Sequence, residues 1–462
     1  MSVRRVVEDF EDRLDLGRRL AAFEPYRYRG DRGGTPALHI DDFTGIPFLD
    51  GIAGVESYQH RARLRASEGD LVAATTPSSP GYERYFRDVL GLGAVELLEV
   101  DPGRDRLAVA RACMAGAPRS RLAALAAANG GLVIEPFMGV EVIWELAAAL
   151  AADTGTNVRV LSPPPPVAWI ANDKASFEDL VTAVLGPGFV PASRRSACAE
   201  SLTRGLLELA EASTAVALKR LRCASAMGNE VFESATMRRK GYAGVLDIVR
   251  GFLERTGWDG REEVLAVAWE EASSSPSTQW WLPPQGGGEP RLDGVYEQIL
   301  KGEEGIFVGS RPSTLPGEVE QAIVSQAGRV AAVLHGLGYV GRCSFDHLVL
   351  PQGRVVFTEC NGRWGGTSTP MNLVDRLYPD GRPPYQAQGF AHDDLAGTTF
   401  EKLRDLMGDS LRDRGLYAGR FLLYNVGPLE RFGKFDVVAI GSSREHVDQL
   451  MTEELPGRLG LR

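Results

Sequence analysis

The stretch Val340–Met371, VGRCSFDHLVLPQGRVVFTECNGRWGGTSTPM, decides how this chain is read. Two apolar-rich runs flank the turn residues Pro351-Gln352-Gly353, which predicts a β-hairpin. Asp346 falls on the first strand, and Glu359 and Asn361 fall at the end of the second. Residues two apart share a face of extended backbone, and folding the hairpin back brings Asp346 close to that pair. Two carboxylates and an amide oxygen are hard ligands. They suit Mg²⁺, which keeps several waters and takes its remaining positions from nucleotide phosphates. Arg342 precedes the cluster and Arg363 follows it, while Gly365-Gly366-Thr367 lets backbone approach a ligand closely. Metal plus arginine is how proteins hold a transferring phosphoryl group and spread its charge.

Upstream residues fit the same chemistry. Only six of the 51 basic residues are lysines, so a lysine inside a motif is conspicuous. Lys219 ends the strand-like run AVALK and precedes the small-residue loop Cys223–Asn229, CASAMGN, which contains Ser225 and Gly228. Such a loop can lay backbone N–H groups over phosphates without a Walker motif. Lys174, in the triplet NDK, opens the same segment. The apolar run Val264–Trp269 ends in Glu270-Glu271. A strand end of this kind offers backbone groups to an adenine edge and a carboxylate to ribose hydroxyls.

Outward from these motifs, the first ~165 residues alternate strand-like and helical runs, the pattern of an open parallel α/β layer. The run Pro163–Pro166 marks a boundary, and the turn-rich Pro379–Pro384 marks another. Three parts are therefore expected: an α/β domain over 1–167, a central domain over 168–384 with a lid at about 190–270, and a small α+β domain over 385–462. Gly336–Gly341, GLGYVG, fits the dinucleotide fingerprint GxGxxG, but Glu318–His335 before it has helical periodicity. The fingerprint requires a strand there, so Gly336 reads as a left-handed helix stop and a nicotinamide dehydrogenase is a weaker alternative.

Composition narrows the partners. The chain has 462 residues, 44% hydrophobic and 24% charged, which is ordinary for globular proteins. Its net charge of -10 provides no field for nucleic acid or anionic membrane, and no apolar run reaches the ~20 residues that span a bilayer. The N-terminus reads as an amphipathic helix rather than a signal peptide. Five scattered cysteines and six histidines show neither disulfide-framework nor zinc-ligand spacing, so the reducing cytoplasm is the expected compartment. A homodimer is the default assembly for such a chain.

Lys174, Lys219 with its small-residue loop, the Val264–Trp269 strand with its glutamates, then Asp346, Glu359-Cys360-Asn361 and Arg363 follow one another in an order that resembles an ATP-grasp ligase. These motifs cover about 170–375. The N-terminal α/β layer and the tail after 385 also resemble the peptide ligase type of pheganomycin-like natural-product biosynthesis. The resemblance implies an α/β (α+β) ATP-grasp fold with a Rossmann-like pre-ATP-grasp domain. It implies that Lys174, Lys219, Ser225 and Gly228 hold ATP phosphates and that Glu270 or Glu271 lies at the adenosine. By the same resemblance Asp346, Glu359 and Asn361 bind magnesium, and Arg342 and Arg363 contact the γ-phosphate and the acyl phosphate. The implied activity joins an amino-acid-type carboxylate to the amine of a peptide or other acceptor, with release of ADP and phosphate. One departure stands out: the loop holds a single glycine, Gly228, where many relatives have several. An ATP-binding module without ligase chemistry is the non-enzymatic alternative.

Overall fold

The computed structural model describes residues 2–223, 228–302, 305–412 and 420–461. Five short strands open the chain: β1 (Ala37–Ile40), β2 (Leu71–Ala74), β3 (Glu96–Glu99), β4 (Gly131–Pro136) and β5 (Asn157–Val160). They form a parallel sheet in the order β3-β2-β1-β4-β5. Apolar runs this short become strands because helices cover them; Leu38, Ile134 and Val158 pack with Leu122 of the helix Gly116–Ala128 and Leu146 of the helix Glu141–Thr154. Strand order reverses between β1 and β4, which leaves a crevice beyond their carboxyl ends. Asp41 and Phe137, the residues just past those ends, stand in it. The proline run after β5 starts the helix Pro165–Asn172, with proline in the first turn, where a missing N–H costs nothing.

A buried carboxylate ties this layer together. Asp70 accepts hydrogen bonds from the N–H groups of Ala37 (3.0 Å) and Ser67 (2.9 Å), from His39 Nε2 (3.1 Å) and from Arg32. Burial favours its protonated form, but His39 and the backbone donors prevail and hold the carboxyl well below the ordinary carboxylate range. A depressed folded pKa contributes stability above the unfolded value of about 4 and loses it as the pH falls further. Asp70→Ala is expected to cost roughly 2–4 kcal/mol, because several buried donors lose their acceptor at once. Urea unfolding at pH 7 measures this; a shift under ~0.5 kcal/mol would refute the assignment.

A second, antiparallel sheet comprises β6 (Ser193–Ser196), β7 (Ala215–Arg220), β8 (Asn229–Glu233) and β9 (Val264–Trp269), in the order β6-β9-β7-β8. The helices Ala199–Ala212 and Ser234–Arg255 cover it, and Leu206, Val216, Val249 and Ala266 belong to a core of its own. These residues occupy most of the span expected to act as a lid.

The third sheet has eight strands: β10 (Pro276–Leu282), β11 (Arg291–Lys301), β12 (Ile306–Pro312), β13 (Gly341–Val349), β14 (Val355–Asn361), β15 (Tyr385–Ala391), β16 (Phe421–Asn425) and β17 (Lys434–Ile440). Their order is β14-β13-β10-β11-β12-β15-β17-β16, so the strands after 385 continue the sheet begun in the central segment. Alternation along β13 sends Phe345 to the core, against Phe177 and Phe357, and turns Ser344, Asp346 and Leu348 toward a cavity. Helix Gly317–Gly336 packs on that core and runs directly into the turn before β13, so no strand precedes the GLGYVG segment. The expected left-handed stop at Gly336 is corrected: Gly336 is the last helical residue, and Gly338, at φ 91°, turns the chain. Gly336 is small for another reason. A Cβ there would lie 2.7 Å from Val7 Cγ2 of the first helix, Val3–Leu14. Among the described residues no helix is long and apolar enough to cross a membrane.

Candidate active site

One cavity of about 1200 Å³ lies among the three sheets. Lys174, Lys219, Glu270, Glu271, Asp346, Glu359, Asn361 and Arg363 all line it, although up to 189 positions separate them in sequence. Asp346 on β13 sits directly across from Glu359 on β14, and Ser344 across from Asn361. The Asp346 carboxylate accepts from Ser277 Oγ at 2.7 Å and from Asn361 Nδ2 at 2.9 Å. Burial and the facing Glu359 carboxylate push the Asp346 carboxyl above its ordinary range; the Ser277 and Asn361 donors only partly oppose them. Two carboxylates with an amide oxygen form a donor set that fits Mg²⁺, and the like-charge pair is one that a divalent cation relieves. Among the described residues no three His, Cys, Asp or Glu side chains gather as a metal cage, so such an ion would need phosphate oxygens or water to complete its shell.

Lys174 is the first residue of the helix Lys174–Leu185, and the Asp173 side chain caps that helix by accepting from Ser176 N–H. The position buries the lysine, and its Nζ reaches Glu359 Oε2 at 3.3 Å and Cys223 Sγ at 3.3 Å. Burial opposes its charge, but Cys223 and Glu359 more than offset that and raise its pKa. Burial likewise works against Glu359, yet Lys174 and Lys219 keep its carboxyl low. Lys219 is the next-to-last residue of β7, with Nζ 5.0 Å from the centre of the Trp269 ring; burial lowers its pKa, and Glu359 only partly restores it. Two cations thus face one carboxylate.

Arg363 follows β14 and donates from Nη1 to Asn172 Oδ1 at 2.9 Å. Asn172 also accepts from Gly362 N–H (3.0 Å) and donates to Gly362 O (3.2 Å), fixing the loop that carries the arginine. Gly362 has no room for a side chain, since a Cβ would stand 2.6 Å from Asn172 Nδ2; at Gly366 it would stand 2.5 Å from the Phe307 ring. Of the small residues expected to let backbone approach a ligand, Gly365, Gly366 and Thr367 all line the cavity, and Gly366 is also packed against Phe307. Glu270 accepts from Arg354 at 3.5 Å, just beyond the end of β9.

Arg342 is placed otherwise than the sequence led us to expect. It is not among the cavity-lining residues; it pairs with Asp293 and stacks between Trp281 and Trp364, each ring centre 5.3 Å away. Burial, reinforced by Arg291, pushes the guanidinium down to about 10. The cause is position along the strand. Arg342 shares the face of Ser344 and Asp346 but sits one residue from the start of β13, where Trp364 takes the cavity-lining place. Gly228 also stays outside the lining; its carbonyl accepts from Arg220 N–H at 2.9 Å and closes the turn into β8. Ser225 lies outside the described residues.

Sequence reasoning missed Asn172, Ser277 and a second group at the cavity's other end. There Arg61 donates to Asp436 Oδ2 from Nε (3.1 Å) and Nη2 (2.6 Å), with its guanidinium 3.9 Å from the Tyr58 ring centre and 5.8 Å from that of Tyr424. Lys434 Nζ bonds the Tyr58 hydroxyl. Asn172 stands in the same WIANDK run as Lys174, a usable signal; Arg61 and Asp436 left none.

Comparison with known proteins agrees with this architecture. The family described as Pre ATP-grasp domain matches residues 59–152. No curated protein sequence matches the chain. Among solved structures, an N5-carboxyaminoimidazole ribonucleotide synthetase in complex with ADP covers 94% of this chain and 98% of its own, at 14% identity and TM-score 0.55. A carboxyaminoimidazole ribonucleotide synthase from Aspergillus clavatus, complexed with ATP, covers 93% and 99% at 12% identity and TM-score 0.54. A biotin carboxylase from Campylobacter jejuni, in a beta-gamma-ATP complex, covers 90% of each chain at 11% identity and TM-score 0.54. The protein has the ATP-grasp fold with a pre-ATP-grasp domain.

Proposed function

We propose that the protein is an ATP-dependent carboxylate–amine ligase that forms an amide bond through an acyl phosphate and releases ADP and phosphate. The observation that carries this reading is the convergence of Asp346, Glu359, Asn361, Lys174, Lys219 and Arg363 at one end of the cavity. ATP would enter between β9 and the β13–β14 hairpin, with Glu270 or Glu271 toward the adenosine and both lysines toward the phosphates. The nucleotides bound in two of the structures of like fold support ATP as the ligand. Asp346, Glu359 and Asn361 would hold Mg²⁺, which when bound neutralises phosphate charge.

A free carboxylate is a poor acyl donor because oxide would have to leave. Its oxygen attacks the γ-phosphorus, the bond to the β-phosphate oxygen breaks, and ADP departs. An amine then attacks the acyl carbon, the carbon–oxygen bond to phosphate breaks, and the amine loses a proton. Arg363 would stabilise the charge on the transferring group, a role that its orientation by Asn172 supports. We further propose an amino-acid-type donor, the N-terminal amine of a peptide as acceptor, a place in natural-product biosynthesis, a lid formed by residues 190–270, and a cytoplasmic homodimer. The resemblance to the pheganomycin-type peptide ligase supports the substrate classes.

Incubation with Mg-ATP, a panel of amino acids and N-capped carboxylates, and hydroxylamine tests the reaction. ADP, phosphate and a hydroxamate should appear together with one carboxylate and vanish with EDTA. AMP with pyrophosphate would point to adenylation instead. ATP binding without turnover across the whole panel would favour a module that has lost its chemistry.

A further inference from the structure

The cavity has two ends, and only one is occupied by the phosphate-binding group. β13 and β17 are five strand spacings apart, about 24 Å measured along the sheet. Lys434 and Asp436 stand on β17, two residues apart and on one face, and both line the cavity together with Tyr58, Arg61 and Tyr424. Asp436 is buried and spends Oδ2 on both Arg61 donors. Lys434 differs from Lys174 at the other end: among the described residues it has no carboxylate partner. Its Nζ bonds the Tyr58 hydroxyl and lies 4.9 Å from that ring's centre. An ammonium held at the edge of a tyrosine by its hydroxyl, with donors to spare and a cavity before it, recognises an anion.

We propose that Lys434 receives a carboxylate carried by the amine substrate, held against the floor formed by Arg61, Asp436, Tyr58 and Tyr424. This deepens the ligase reading and rests on it. The donor's reacting carboxylate must meet the γ-phosphate at the Asp346–Glu359 end, so an anion at Lys434 is a second one. Phosphate leaves toward the nucleotide, and the amine must approach from the part of the cavity that nucleotide does not fill. The amine substrate is therefore an amino acid or short peptide with a free C-terminus, rather than a neutral amine.

The test uses the full chain, the donor found by hydroxamate formation, and a set of amino acids and dipeptides offered both as free acids and as C-terminal amides. The wild-type protein should prefer the free acid by about 10–100-fold in kcat/KM, the effect of one charge-assisted hydrogen bond. Lys434→Met should bring the ratio to near one, and Lys434→Arg should restore most of it. Thermal melting identifies a variant that has merely misfolded, and Lys434→Arg then carries the test through its effect on the ratio. A wild-type preference for the amide, no preference, or a preference that survives in Lys434→Met would overturn the proposal. So would a free-acid preference that follows a second carboxylate on the donor. No hydroxamate and no ADP from wild-type protein with any donor would instead overturn the ligase reading, and this inference with it.

Discussion

Glu359→Gln should lower the rate of ADP release by about 10²–10³-fold, the usual cost of removing one preorganised charge from a phosphoryl-transfer site. The substitution preserves volume and leaves the β13–β14 ladder intact, so the effect isolates the charge. Lys174 would keep only Cys223 as a charge-sensitive partner, and Asp346 would lose its facing carboxylate. Both changes weaken the donor set for a divalent ion, so the Mg²⁺ concentration for half-maximal rate should also rise. Stability should change little, because the native pair opposes two carboxylates as well as joining a lysine to one. Measuring ADP release against Mg²⁺, with thermal melting alongside, distinguishes these effects. A variant within threefold of wild type at all Mg²⁺ concentrations would remove Glu359 from the proposed site.

The hairpin that carries this glutamate was legible because its signals are local. The apolar-rich runs Phe345–Leu350 and Val355–Glu359, with Pro351 and Gly353 between, predict the hairpin. The parallel layer was legible for a similar reason, since β2, β4 and β5 are short apolar runs between helices. The strands β10 to β12 were not. One face of β10 turns Ser277 and Gln279 to the cavity, and the glycine- and proline-rich 283–290 interrupts any apolar rhythm. Arg342 was expected at the cluster and lies outside the cavity lining, because period-two reasoning fixes a face but not which neighbour covers it. Tyr58 and Arg61 lie in a 3₁₀ segment, Val55–Leu64, where buried polar residues outnumber apolar ones. Arg61 joins Asp436 across 375 positions, a contact that only the folded chain reveals.

Arg363→Lys should reduce kcat by about 10²-fold or more while changing nucleotide affinity much less. Charge is retained, so the loss reports geometry: a lysine offers a point charge where the guanidinium offers a planar fork with one arm fixed by Asn172. Asn172 holds Arg363 and the Gly362 backbone at once but does not itself line the cavity, which makes it a positioning residue. Asn172→Ala should therefore cost about 10-fold in kcat, and the double variant Asn172→Ala/Arg363→Lys should be little worse than Arg363→Lys alone. A purely structural role for Asn172 predicts the opposite, with the two losses multiplying. Single-turnover acyl-phosphate formation, followed by hydroxamate trapping, reads the coupling at the chemical step rather than at product release. Were Arg363→Lys to retain full activity, charge alone would suffice. The cavity's cationic requirement would then rest on Lys174 and Lys219, and the loop held by Asn172 would be a matter of folding rather than catalysis.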